Sequence, residues 1–204
     1  MKKRSTSWLT TVAILGTIAA LLMLIEFPLW FAPPFYKLDF SEIPVLVGAF
    51  ALGPIAGMAI EAIKILLNYI FNGTITMGIG EAANFMIGLS FVIPASIIYH
   101  KSKTKRHAII GLIIGVFTMT IIGGILNAFV LLPVYALVYE MPLNDLIALG
   151  TLVNSNISNL QTFIFLAVVP FNLLKGILVS IVVILIYKRL SPMIKGKDYD
   201  EESI

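Results

Sequence analysis

Apolar residues run along this chain in long blocks separated by short polar or Gly/Pro-containing breaks, not in the alternating or one-sided patterns of a soluble core. Crossing about 30 Å of hydrocarbon takes roughly 20 apolar residues as helix. Blocks over 8–26, 43–53, 54–71, 78–99, 108–138 and 163–187 meet or approach that length. The second is short. Gly53 and Pro54 punctuate the chain between it and the third, which leaves open whether the two are separate helices or one broken helix.

The distribution of positive charge decides the count. Lys and Arg concentrate in "MKKRSTS", in "HKSKTKRH" (100–107) and in "KRLSPMIKGK" (188–197), and the positive-inside rule assigns all three clusters to the cytoplasm. An even number of crossings must separate the first two clusters, so the short block counts as a span. The expectation is an all-α membrane protein, six transmembrane helices in a compact bundle forming one integral domain over 1–204, with N and C termini cytoplasmic. Its place is the cell membrane. "MKKR" followed by an apolar run has the outline of a signal peptide, but the run is longer than an h-region, and Glu26 and "FAPPF" stand where a small-residue cleavage motif would be. The segment reads as a retained first span.

The outer face then holds 28–42, "NGTITM" and 139–162. The first of these, "PLWFAPPFYKLDFSE", has three prolines and five aromatics, too apolar for a solvated linker, and is expected to fold back as a lid. The tail "KDYDEESI" reads as solvated.

Composition narrows the function. With 59% hydrophobic and 12% charged residues and a mean hydropathy of +0.99, the chain has more apolar surface than a soluble domain of 204 residues buries. The net charge of +3 comes mostly from the three basic clusters and speaks of orientation, not nucleic-acid binding. Zero cysteines exclude a disulfide framework, a thiolate metal site and a cysteine nucleophile. There is no P-loop, no H-E-x-x-H and no G-x-S-x-G, so neither an enzyme nor a self-energised pump is expected. Paired half-sequences of the inverted-repeat kind are also missing. If the chain moves a solute uphill, something else supplies the energy.

Against that apolar background the polar residues inside the spans stand out, because an ionisable group near the bilayer centre costs roughly 2.5–3.5 kcal/mol on insertion scales. Lys175 sits at the middle of the last block. Asn172, three residues earlier, shares its helix face, and Pro170 removes a backbone donor one turn before. One reading is an inward polar site; the other is a lysine that snorkels outward and an asparagine that glues two helices. Asn127 and Asn84 lie at comparable outer-to-middle depth, which favours a shared cavity. Glu61, Lys64 and Asn68 share a face of the third block and suggest an internal ion pair, structural or part of a cation pathway. Ala13, Gly16 and Ala20 form a small-residue stripe on the first block, suited to packing the bundle itself or a membrane partner, and Gly53/Gly57 and Gly111/Gly115 repeat the spacing.

Six spans in about 200 residues, the basic turn after the fourth, and the stretches "LDFSEIPVL", "GEAANF" and "PFNLLKG" resemble the substrate-binding S components of energy-coupling factor (ECF) transporters, in particular the riboflavin-specific branch. The resemblance covers essentially the whole chain. It implies an outward pocket built by the first loop and the outer parts of the fourth to sixth spans, with Leu38, Asp39, Phe40, Ser41, Asn84, Asn127, Asn172 and Lys175 as matching positions. It also implies that the first span docks a transmembrane coupling subunit driven by two ATPases, through Ala13, Gly16, Thr17 and Ala20. No cofactor is implied beyond the transported vitamin. Riboflavin, neutral and flat with a dione edge and a polyhydroxylated ribityl chain, suits an apolar pocket holding a few convergent polar groups, with Phe40 and other loop aromatics against the ring. The rivals are an S component for another vitamin, an ion-coupled carrier using Glu61 and Lys64, and a structural subunit without a ligand.

Overall fold

The computed structural model describes the backbone of residues 6–201 and the side chains of residues 6–186 and Arg189. The charged residues of "MKKR", and the side chains of the last basic cluster apart from Arg189 and of the tail, lie outside the described residues. Helices make up almost all of it: α1 (Thr6–Met23), α2 (Glu42–Leu52), α3 (Pro54–Asn72), α4 (Ile79–His100), α5 (Lys105–Leu126), α6 (Leu132–Val138), α7 (Leu143–Thr151), α8 (Leu160–Phe163) and α9 (Val169–Glu201). A two-residue hairpin, β1 (Phe27–Pro28) against β2 (Lys37–Leu38), pairs Phe27 with Leu38 and Pro28 with Lys37. The expected blocks emerge with most ends shifted by a few residues; the exceptions are that the last helix runs on past 187 to Glu201, into the expected solvated tail, and that a helix forms inside the expected outer stretch 139–162.

Among the described residues five helical stretches are long and apolar enough to cross a membrane: Thr6–Met23, Pro54–Asn72, Ile79–His100, Lys105–Val138 and Leu160–Ile186. Two of them are continuous only because a π-helical turn joins shorter pieces, Asn127–Leu131 between α5 and α6 and Ile164–Val168 between α8 and α9. Gly53, at φ +99, breaks α2 from α3, and Pro54 opens the new helix at the position where its missing N–H costs nothing. The two blocks are therefore separate helices.

At eleven residues α2 is about 16 Å long, half a bilayer's core. Its last turn lies at the level of the α4 terminus, where His100 Nε2 is 3.0 Å from the Ala49 carbonyl oxygen. Its first turn is consequently deep in the bundle, and the irregular chain of residues 39–41 joins it to the hairpin. That chain carries Asp39 and Ser41 to buried positions.

Small residues set the helix spacing. A Cβ on Gly111 would lie 2.5 Å from the Ala95 carbonyl oxygen and one on Gly115 2.6 Å from that of Phe91, so α4 and α5 approach to backbone contact. Ile60, Phe91, Val92, Leu112 and Val179 fill the main apolar core between α3, α4, α5 and α9. A second cluster, including Tyr36, Leu132, Phe163 and Phe171, lies under the loop between α1 and α2.

Inside the main core sits a charged group that the sequence half announces. Lys64 Nζ is 2.7 Å from Glu61 Oε1, as expected, and also 2.7 Å from Glu42 Oε1 at the start of α2; all three side chains are excluded from solvent. Gly88 of α4 faces this group, and any side chain there would run into the Glu61 carboxylate. Removing the shared ammonium strands two carboxylates in an apolar interior, a loss of about 3–5 kcal/mol. Lys64→Ala should therefore lower the melting temperature of the detergent-solubilised protein sharply; an unchanged melting curve would contradict this role.

Candidate substrate-binding cavity

The costly ammonium of the last helix has a partner. Lys175 Nζ lies 2.7 Å from Asp39 Oδ2, with the lysine side chain 12% exposed, so it points neither to lipid nor to an interface. Asp39 is held in place by its own neighbours: the backbone N–H of Ser41 donates to Oδ1 at 2.9 Å, and the Ser41 hydroxyl donates to the same oxygen. Burial alone would push the Asp39 carboxyl up, but the ammonium of Lys175, then that of Lys64, and hydrogen bonds from Lys175 and Ser41 outweigh it and hold the group at about 2.

This pair borders a cavity of about 670 Å³, within the range of small-molecule sites. Asn84, Asn127, Asn172, Asp39 and Lys175 all line it. Four elements bring them together: the descending loop, α4, the π turn after α5, and α9. The π turns bear directly on this wall. Asn127 begins the first, its carbonyl accepting from Leu132 N–H five residues on, and Asn172 follows the second by one helical turn.

Both amides are already oriented. Asn127 Nδ2 donates to the Gly123 carbonyl at 2.8 Å while Tyr36 OH donates to Asn127 Oδ1 at 2.5 Å; Asn172 Nδ2 donates to the Val168 carbonyl at 2.9 Å. Asn172 also packs directly on Gly123, where a Cβ would come within 3.1–3.2 Å of its side-chain amide atoms.

Three of the expected loop positions do other work. Leu38 is buried in the hairpin, Ser41 fixes Asp39, and Phe40 packs against the main core; none of the three lines the cavity. The aromatic walls come instead from Phe35 and Tyr36 of the loop, Tyr135 and Tyr139 around the end of the stretch Lys105–Val138, and Phe171 of α9. Tyr36 sits 5.3 Å from the Phe171 ring and Phe35 is stacked near Phe163 at 6.4 Å, so the loop is pinned to α9 by rings as well as by charge.

Sequence reasoning did not assign cavity roles to Glu42, Asn72, Thr76, Glu81 or Tyr135, and covered Tyr36 only among the loop aromatics. Glu81 was within reach, since it lies one helical turn before Asn84. Glu42 stood at the boundary of a loop, with nothing to show that the loop descends.

On α1 the small-residue stripe divides. Gly16 and Ala20 are buried, Gly16 so close to Ile63 of α3 that a Cβ would come within 2.6 Å, whereas Ala13 and Thr17 face outward. Half of the stripe therefore packs the protein's own bundle.

Comparison with known proteins agrees with this architecture. Residues 8–187 match the family model "ECF transporter, substrate-specific component". The chain is 41% identical over 189 residues to the riboflavin transporter RibU of Staphylococcus aureus, covering 92% of each chain, and 35% identical to the riboflavin transporter FmnP of Bacillus subtilis, covering 92% of this chain and 93% of that one. A solved S component of a bacterial ECF transporter superposes with a TM-score of 0.71 at 38% identity, over 94% of this chain and 99% of the other. The chain belongs to the ECF transporter substrate-specific components, multi-pass proteins of the cell membrane that bind a substrate and catalyse no reaction.

Proposed function

We propose that this protein captures riboflavin from the outer side of the cell membrane and hands it inward together with an ATP-driven coupling module. The observation that carries the proposal is the convergence of Lys175, Asn172 and Asn127 on one aromatic-walled cavity of about 670 Å³, in a chain whose relatives are named riboflavin transporters. The isoalloxazine ring fits between aromatic side chains. Its dione edge offers two carbonyls and an imide N–H, which match an ammonium and amide groups; the ribityl hydroxyls match the remaining polar lining, Asn84 included.

In this reading residues 1–204 form one integral domain with six spans, α2 being the short second one, and with both termini cytoplasmic. Residues 24–41 are the lid. Leu38, Phe40 and Ser41 position the lid, and Asp39 ties it to Lys175. The coupling subunit docks on α1 through exposed Ala13 and Thr17, with Gly16 and Ala20 holding α1 against α3, and two ATPases drive the module. The same cavity with another vitamin is the nearest rival. The Glu61, Lys64 and Glu42 charges are engaged with one another at 2.7 Å, which favours a structural role for the group over the carrier reading.

Two outcomes test the proposal. Riboflavin added to the purified protein should lose fluorescence at micromolar concentration or below; Lys175→Ala should weaken binding roughly 10- to 150-fold, the worth of about 1.5–3 kcal/mol for a charge-assisted hydrogen bond, and Asn172→Ala roughly 2- to 13-fold, about 0.5–1.5 kcal/mol for a neutral one. Tight binding of a different vitamin with no flavin quenching would overturn it.

The Asp39–Lys175 tie gives a defined acid response. Because the folded protein holds the Asp39 carboxyl at about 2, below its ordinary 3.8, the pair's stabilisation is complete above the unfolded value near 4 and is lost as pH falls through about 2. The difference in thermal stability between the native protein and Asp39→Asn should be constant from pH 5 to 8 and shrink between about pH 4 and 2. A difference that grew on acidification would contradict the assignment.

A further inference from the structure

Six charged residues line the cavity, and five are in ion pairs. Glu26 pairs with Lys37, Asp39 with Lys175 and Glu42 with the Lys64 behind it, each at 2.7 Å. Glu81 alone has no cationic partner among the described residues. Its Oε2 accepts the hydroxyls of Thr74 at 3.0 Å and Thr76 at 3.4 Å, and its Oε1 has no hydrogen bond to the protein.

The position matters as much as the charge. Glu81 lies in the first turn of α4, where backbone amides and the helix dipole would ordinarily draw an anion. Here those amides are occupied from within: Gly78 N–H donates to Thr74 Oγ1 and Gly80 N–H to Thr76 Oγ1, both at 2.9 Å, while Ile79 and Ala82 donate to the carbonyls of Thr76 and Gly78. The two threonine hydroxyls, having accepted from the amides, donate their own hydrogen bonds to Glu81. The amides of Gly78, Ile79, Gly80 and Ala82 are thus closed to a phosphate, and this corner of the cavity presents a carboxylate of the chain itself.

We propose that Glu81 selects the neutral, hydroxyl-ended flavin against its phosphate ester: the open carboxylate oxygen accepts a hydrogen bond from a ribityl hydroxyl and repels a phosphate in the same place. The inference rests on the riboflavin reading above. It makes the α4 terminus, not Lys175, the place where the two flavins are told apart.

Both flavins fluoresce, so their dissociation constants can be measured by quenching on the same full-length protein in detergent. The native protein should bind riboflavin more tightly than flavin mononucleotide. The ratio of the two constants should fall at least tenfold in Glu81→Gln and stay near the native value in Glu81→Asp. A second measurement needs no variant. The phosphate ester dianion takes up a proton with a pKa of about 6 and becomes a monoanion, and no histidine lines the cavity, so the native ratio should also narrow between pH 7.5 and 5.5. The groups facing Glu81 across the cavity are Tyr135, Tyr139 and the ion-paired residues named above. Equal affinities in the native protein, or an unchanged ratio in Glu81→Gln, would overturn the role of Glu81 while leaving riboflavin capture intact. Absence of any riboflavin binding would overturn both.

Discussion

Two ammonium groups held inside an apolar bundle require carboxylates, and a single short stretch of chain supplies one to each. Asp39 meets Lys175 of α9 and Glu42 meets Lys64 of α3, so residues 39–42 are fastened from two sides of the bundle. The two attachments also sense each other, since the Lys64 ammonium helps to hold the Asp39 carboxyl ionised. Much of the architecture follows from this constraint. The chain must descend to reach both lysines, α2 can begin only where it arrives, and the depth above α2 is left open as the cavity.

The arrangement explains how a flexible-looking loop can be specific. Its polar contacts lie at the bottom, its aromatic residues Phe35 and Tyr36 lean on Phe163 and Phe171, and the hairpin with its Glu26–Lys37 pair closes the top. Movement of the proposed lid therefore has to break contacts on α9, the same helix that carries Asn172 and Lys175. Cavity and loop are mechanically one object. A ligand that reaches Lys175 and Asn127 shares them with Asp39 and Tyr36, since the ammonium has further N–H donors and the amide oxygen a second lone pair.

Much of this was legible in the sequence for physical reasons. Hydrocarbon thickness fixes span lengths, so apolar blocks marked the helices; desolvation makes buried ions conspicuous, so Lys175, Glu61 and Lys64 stood out before any partner was visible. What could not be read is which distant residue answers each charge. Asp39 is 136 positions from Lys175 and Glu42 is 22 from Lys64, and no local periodicity encodes such pairings. Phe40 illustrates the same limit, since an aromatic in the right loop goes to the core while Tyr36, four positions earlier, takes the cavity wall. The stripe on α1 is wide enough to divide, with Gly16 and Ala20 buried and Ala13 and Thr17 outward, a split that spacing alone does not show.

The brevity of α2 has a thermodynamic consequence. Where helix gives way to irregular chain at membrane depth, peptide groups lack the internal partners that lipid demands, and such chain survives only beside protein or a wet hollow. The space next to residues 39–41 is lined by Asp39, Glu42 and Lys175 and is polar enough to hold water whenever the vitamin is elsewhere. An arriving molecule exchanges places with that solvent instead of entering a void, and it gains only if it restores the hydrogen bonds the departing water had made. Discrimination in favour of polar, well-decorated solutes is thereby written into the main chain itself, ahead of any side chain that refines it.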